Sequence, residues 1–285
     1  MQTVLGKASK IHQTPLIGRI FRPRLKNYTH EDLQGFRQTQ KLAHQCAQEI
    51  AKLLRPGQSE IQVANMMDQW QRDHGVKNFL HRPFAWFGNR TRFDDCPSYT
   101  YFLPSKRTLK DNDVVILDTA PVLNGYPADI GYAHLMGGEN PEFHRSIDSL
   151  KQYRNLLPRL FETPGITGVD IYQNMEQTLK NDGYENIHAR YPLGVLGHRM
   201  HPMIDGVVPG MLLPFSWQFY WAVFSRGAFS ETLGNFHSGD LDGLWAIEPH
   251  IGVKGQNAFG VKFEEMLYVK NGKAQWLVDQ GVFCE

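Results

Sequence analysis

The chain has 285 residues, with 30 Lys and Arg against 29 Asp and Glu and a formal net charge of +1. That balance excludes the electrostatic footprint of a nucleic-acid or membrane-surface binder, and 41% hydrophobic with 21% charged residues excludes a disordered or collagen-like chain. At roughly 150 residues per domain the length allows one large domain or two, with enough core to need no staples. Cys46, Cys96 and Cys284 are far apart and form no CxxC pair, so neither a disulfide framework nor a cysteine zinc site is expected.

Residues 1–29 read as an N-terminal extension without the apolar stretch of a secretory signal. No window reaches the roughly 18 apolar residues of a membrane span. The nearest approach, Met211 to Phe224, is interrupted by Pro214, Ser216 and Gln218. The chain therefore reads as soluble and cytoplasmic.

An internal repeat then appears at an offset of 108 residues. Pro56-Gly57 maps to Pro164-Gly165, Val63 to Ile171, Met67 to Met175, Gln69 to Gln177, Gly75 to Gly183 and Asn78 to Asn186. Each copy reads as an apolar helix end, a Pro-Gly break, an amphipathic helix and a glycine stop. Two copies are too few for a solenoid and suit one domain with pseudo-twofold symmetry and a site between its halves. After each helix pair the sequence turns β-rich. In the first half, Asp113 to Ala120 (DVVILDTA) is a buried-strand run and Asn124-Gly125 signals a two-residue hairpin. In the second, LWAIEPHIGV and GVKFEEMLYV are strands, with Asn271-Gly272 marking another hairpin. Helices followed by antiparallel strands in each half give an α+β class.

The strands carry carboxylates at positions where apolar residues are expected. With Asn124-Gly125 as the turn, Leu123 faces Tyr126 and Asp118 faces Gly131. Asp129 then points to the same face as Asp118, about 7–8 Å away between Cα atoms. Two buried aspartates are unfavourable without positive charge between them; a lone one at a sheet end more often faces solvent. The second half adds Glu248 in LWAIEP, Glu264 and Glu265 in GVKFEEM, and His198 in GHRMHP. Four carboxylates and an imidazole suit an oxygen-rich cation cluster. A pair of ions about 3.5–4 Å apart there would activate water and polarise a carbonyl.

These residues resemble the metal-site pattern of the pita-bread metallopeptidases, the superfamily of methionine aminopeptidase, aminopeptidase P, prolidase and the non-peptidase creatinase. Its aspartate pair matches Asp118 and Asp129 in ILDTAPVLNGYPADI, its histidine His198 in LGHRMHP, its Glu-Pro motif Glu248-Pro249, and its last glutamate Glu264, with Glu265 a neighbour and not a ligand. The likeness covers about residues 30 to 280. It implies a duplicated pita-bread fold and a single catalytic domain over 30–285, without a separate creatinase-like N-terminal domain. It further implies two divalent ions (manganese, cobalt, iron or zinc) held by Asp118, Asp129, His198, Glu248 and Glu264, with Asp129 and Glu264 bridging. Glu248 is then the acid/base in hydrolysis of a small peptide.

Three family features are missing. The histidine about seventeen residues before the first aspartate falls near Tyr101. The second histidine, about seven residues after His198, falls at Asp205. The arginine of proline peptidases after the second aspartate is replaced within DIGYAH. His81, His134, His201 and His237 are the candidate substitutes, with His201 taken beside Glu248 as catalytic, although each histidine alone is more often structural. Weak activity on generic dipeptides is therefore expected. The aromatic cluster at Phe215, Trp217, Phe219, Tyr220, Trp221 and Phe224 reads first as core or a homodimer contact and second as a pocket wall; FAWFGNRTRF (Phe84 to Phe93) is another candidate wall. A peptidase acting on small peptides is the first reading. The alternative is a non-peptidase metalloenzyme with hydrolase, lyase or oxidative chemistry on a small molecule. A binding protein with a degenerate site is the third, and the full ligand set argues against it.

Overall fold

The computed structural model describes residues 27–94, 99–203, 211–212, 215–255, 257–279 and 281. Most of the expected N-terminal extension, Cys96, Cys284 and Asp205 lie outside them. Helix α1 (His30–Leu53) starts at a capping box: the Asp32 N–H donates to Thr29 Oγ1 at 3.1 Å, and the Thr29 N–H donates to the Asp32 carboxylate at 2.9 Å. Ser59 and Gln62 repeat this at α2 (Glu60–Asp73). After α3 (Pro141–Phe161), Thr167 and Asp170 repeat it again at α4 (Gly168–Asn181). The boxes at 59 and 167 are 108 residues apart, so the repeat extends to the hydrogen bonds that start its helices. Gly75 and Gly183 end those helices with φ of 90° and 85°.

The first helix pair is followed by β1 (Asn78–Phe87), β2 (Val114–Leu123), β3 (Tyr126–Pro127) and β4 (Ile130–Leu135). The second is followed by β5 (Glu185–Asn186), β6 (Val195–Arg199), β7 (Met211–Leu212), β8 (Phe215–Ser216), helices α5 (Trp217–Arg226) and α6 (Ala228–Glu231), and then β9 (Thr232–Gly234), β10 (Gly243–Ile247), β11 (His250–Val253), β12 (Phe259–Lys262), β13 (Glu265–Lys270) and β14 (Lys273–Trp276). One sheet runs β3-β2-β1-β8-β7, with β4 also on β2. A second runs β14-β13-β10-β6-β9 and a third β12-β11-β5. All recorded strand pairs are antiparallel, as the α+β reading expects. Asn124 and Gly125 (φ 51° and 82°) make the first hairpin turn. Leu123 faces Tyr126 and Asp118 faces Gly131 as expected, and Pro127 keeps the register by facing Val122. A bridge between Gly131 and Glu264 ties the two halves together.

Each helix pair packs on its own apolar cluster, and a further cluster, with Phe36 and Val122 beside Leu244 and Met266, joins the halves. Val63 and Met67 pack with Ile50, Val115 and Leu117, while their repeat partners Ile171 and Met175 pack with Leu150, Trp245 and Leu267. Burying each such side chain contributes about 1.5–3 kcal/mol. Among the described residues no helix is long and apolar enough to cross a membrane.

Strand alternation sends Glu264 and Glu265 to opposite environments. Glu265 is buried on the α3 side, where Arg154 Nε and Nη2 donate to its Oε2 at 3.0 and 2.8 Å. Removing one partner of a buried pair leaves an uncompensated charge. Arg154→Met should therefore destabilise the protein by about 3–5 kcal/mol, against about 0.5–2 kcal/mol for losing the helix cap in Ser59→Ala. Urea denaturation of both variants checks this; an Arg154→Met loss no greater than that of Ser59→Ala would contradict it.

Candidate metal centre

Both halves deliver acidic side chains to one place. Asp118 lies within β2, Asp129 just before β4, and Glu248 follows the last residue of β10, where Pro249 separates it from β11. Glu264 sits between β12 and β13, and His198 lies in β6, opposite Ala246 of β10. All five are buried, and all five line one cavity of about 520 Å³. His198 Nε2 is 3.3 Å from Asp129 Oδ2 and 3.8 Å from Glu264 Oε1.

Two further residues complete the cluster. His81 reaches it from β1, where the pairing with β2 slips on both sides of the histidine and re-aims the side chain. Its Nε2 lies 3.0 Å from Asp129 Oδ1 and 3.3 Å from Asp118 Oδ1, and its ring stacks on Phe84 at 4.7 Å. Lys262, the last residue of β12, donates from Nζ to Asp118 Oδ2 at 2.7 Å, Glu264 Oε2 at 2.9 Å and Glu248 Oε2 at 3.1 Å. His81 is one of the four candidate substitutes for the missing family histidine. Spacing alone did not single it out, because the segment between β1 and β2 is long. Lys262 is not among the residues that the sequence motifs single out. The available signal was its parity, two strand positions before Glu264 and so on the same face.

His201, expected to be catalytic beside Glu248, does not join the cluster. Its Nε2 lies 2.6 Å from Glu231 Oε2 and it does not line the cavity. The physical reason is that Glu231, at the end of α6, gives the buried ring a nearer acidic partner. His134 and His237 do not line the cavity either. Tyr101 lies under the Arg90 guanidinium, 4.5 Å from its ring centroid. The aromatic segment is not simply core: Phe215, Phe219, Tyr220 and Phe224 line the cavity, and Phe224 is 77% exposed. Phe84 and Trp86 line it from the other candidate wall.

Electrostatics follow from the crowding. Burial pushes the Glu264 carboxyl well above its ordinary range, and Asp129 and Glu248 add to the push. Burial also raises Glu248, against the pull of Lys262. For Asp129 burial acts upward, but His81 and His198 outweigh it and hold the carboxyl low. Burial disfavours the Lys262 cation, yet Asp118 and Glu264 outweigh it and hold the ammonium charged.

Donor atoms of Asp129, His198 and Glu264 lie within 4.8 Å of one another, as do those of His81, Asp118 and Asp129. Donors about 2.0–2.2 Å from a common ion are separated by about 3–3.5 Å, so the 3.3 Å between His198 and Asp129 fits a divalent cation with mixed oxygen and nitrogen ligands.

The sequence model described as Peptidase_M24, metallopeptidase family M24, matches residues 34–271. No curated protein matches the chain by sequence. Among solved structures it is similar to an X-Pro aminopeptidase from Thermotoga maritima, with a TM-score of 0.65 at 14% identity, covering 90% of this chain and 63% of that one. A prolidase from Pyrococcus furiosus gives 0.62 at 16% identity, over 89% and 65%. A methionine aminopeptidase from Thermotoga maritima gives 0.59 at 15% identity, over 89% and 98%. The chain thus spans under two thirds of the first two and nearly all of the third. At these identities the likeness shows the fold, a pita-bread arrangement.

The cluster makes metal-free stability depend on pH. Burial lowers His81, but Asp129 and then Asp118 outweigh it and raise its pKa to about 9, against about 6.5 in an unfolded chain. A raised folded pKa gives stability that is complete below about pH 6.5 and fades as pH climbs through about 9. The unfolding free energy of metal-free protein should fall across that window, and the fall should be shallower in His81→Gln. Equal slopes in denaturant titrations of the two proteins would show that His81 carries no ion pair.

Proposed function

The chain belongs to metallopeptidase family M24, and on that premise we propose that it is a metal-dependent hydrolase of small peptides or peptide-like amides. The observation that carries this reading is the convergence of Asp118, Asp129, His198, Glu248 and Glu264 on the floor of one cavity. We place the catalytic domain over residues 30–285 and take these five residues as the site. A bound manganese, cobalt, iron or zinc ion would polarise the scissile carbonyl and make water a stronger nucleophile. Glu248, whose carboxyl burial raises, takes the proton of the attacking water and returns it to the leaving amine. His81, facing the floor beside Asp129, supplies the imidazole that His201 does not. Phe84, Trp86, Phe215 and Phe219 exclude water and receive an apolar group of the substrate.

A non-peptidase reaction is the second reading. It is favoured by the aromatic and aliphatic lining, which shows few polar groups away from the floor to align a peptide backbone.

The wall sets a preference. Burying a large apolar side chain is worth about 1.5–3 kcal/mol, about 10- to 140-fold in kcat/KM. Short peptides with Phe or Leu beside the scissile bond should exceed their Gly counterparts by that factor when each metal is tested in turn. Failure of the metal-loaded protein to cleave any member of a Xaa-Pro, Xaa-Pro-Xaa and Met-initiated peptide set would put the non-peptidase reading first. Asp129→Ala should lose bound metal and activity while the circular dichroism stays near wild type, because the helices pack on apolar clusters that do not include Asp129. Full metal occupancy in that variant would remove Asp129 from the ligand set.

A further inference from the structure

We infer that the chain holds one divalent ion, at Asp129, His198 and Glu264, and that the Lys262 ammonium stands where a second cation would sit, among Asp118, Glu248 and Glu264. The inference rests on the metal-dependent reading above and deepens it.

A lysine ammonium has three N–H donors, and here each has a carboxylate oxygen: 2.7 Å to Asp118, 2.9 Å to Glu264 and 3.1 Å to Glu248. Those acceptors come from three separate segments, so the ammonium knits them together as a metal ion would. Its place is built for it. Gly131 faces Asp118 across the β2–β4 ladder, and a Cβ there would lie 2.6 Å from Lys262 Cε and 3.1 Å from both Cδ and Cγ. The absence of a side chain at 131 is what admits the lysine stem. The Tyr191 ring lies 5.5 Å from Nζ, within range of a cation–π contact. The lysine side chain is 2% exposed, so expelling it from its three acceptors would strand a buried charge.

The two oxygens of Glu264 divide between the cations. Oε2 accepts from Lys262, and Oε1 is 3.8 Å from His198 Nε2. Glu264 thus bridges an ammonium and an ion position. The other donor set, His81, Asp118 and Asp129, shares Asp129 with the first. It offers only one oxygen of Asp118, the other being on Lys262. Like the first set, it shares one carboxylate with the ammonium, and because both sets draw on Asp129 they serve as alternative seats for the one ion.

The test is a metal count. Purified full-length protein is dialysed to equilibrium against manganese, bound metal per chain is measured by mass spectrometry, and the electron paramagnetic resonance spectrum is recorded. Wild type should bind one ion and show an isolated-ion spectrum. Lys262→Met should bind a second ion and show exchange coupling between the two. Two ions in wild type would overturn this inference and leave the metal-dependent reading intact. None would overturn both. A Lys262→Met protein that folds yet still binds one ion would show that the lysine holds no cation position. Should that variant fail to fold, the wild-type count decides alone.

Discussion

Asp118, Asp129, Glu248 and Glu264 meet where water is nearly excluded, and their mutual repulsion has to be offset by positive charge within the site. Carboxylates at such spacing stay ionised only beside positive charge. The chain supplies part of that charge itself, through Lys262 from β12 and through His81 and His198 on the Asp129 side. The cluster therefore has the charge logic of a metal centre even when considered through its protein groups alone.

Two architectural features hold the anions together. The duplicated helix pairs pack separate apolar cores, so each half presents its strands from a rigid base. The bridge between Gly131 and Glu264 then joins the halves at the level of the carboxylates. Gly131 serves both tasks, pairing with Asp118 in one ladder and leaving the gap through which the Lys262 stem passes. Alternation along the second-half strands separates Glu264, which enters the cluster, from Glu265, which pairs with Arg154 behind it.

Above this floor the chemistry changes abruptly. Aromatic side chains from β1 and from the segment around α5 form the walls, with Phe215 and Phe219 stacked at 4.6 Å and the His198 ring edge-on to Phe219 at 5.8 Å. A charged floor under an apolar wall binds a substrate with one polar reacting group and an apolar flank. The low dielectric of the wall strengthens every interaction on the floor.

Features set by local geometry are legible in the chain. Two Asn-Gly turns set hairpin registers, and the first of them puts Asp118 opposite Gly131 and on the face of Asp129. The repeat located both helix pairs, and motif order picked out the five acidic and imidazole positions that meet in one cavity. Which histidine joins them depends on folding, because 36 intervening positions separate His81 from Asp118 in the chain while a slipped antiparallel ladder brings them together. His201, closer in sequence to His198, is drawn instead to Glu231. The aromatic segment reads first as core or contact and only second as wall, since apolar character does not say what an apolar face covers. The role of Lys262 was hidden for a related reason: strand parity gives the face of a side chain, but not the carboxylates that other segments bring to its end.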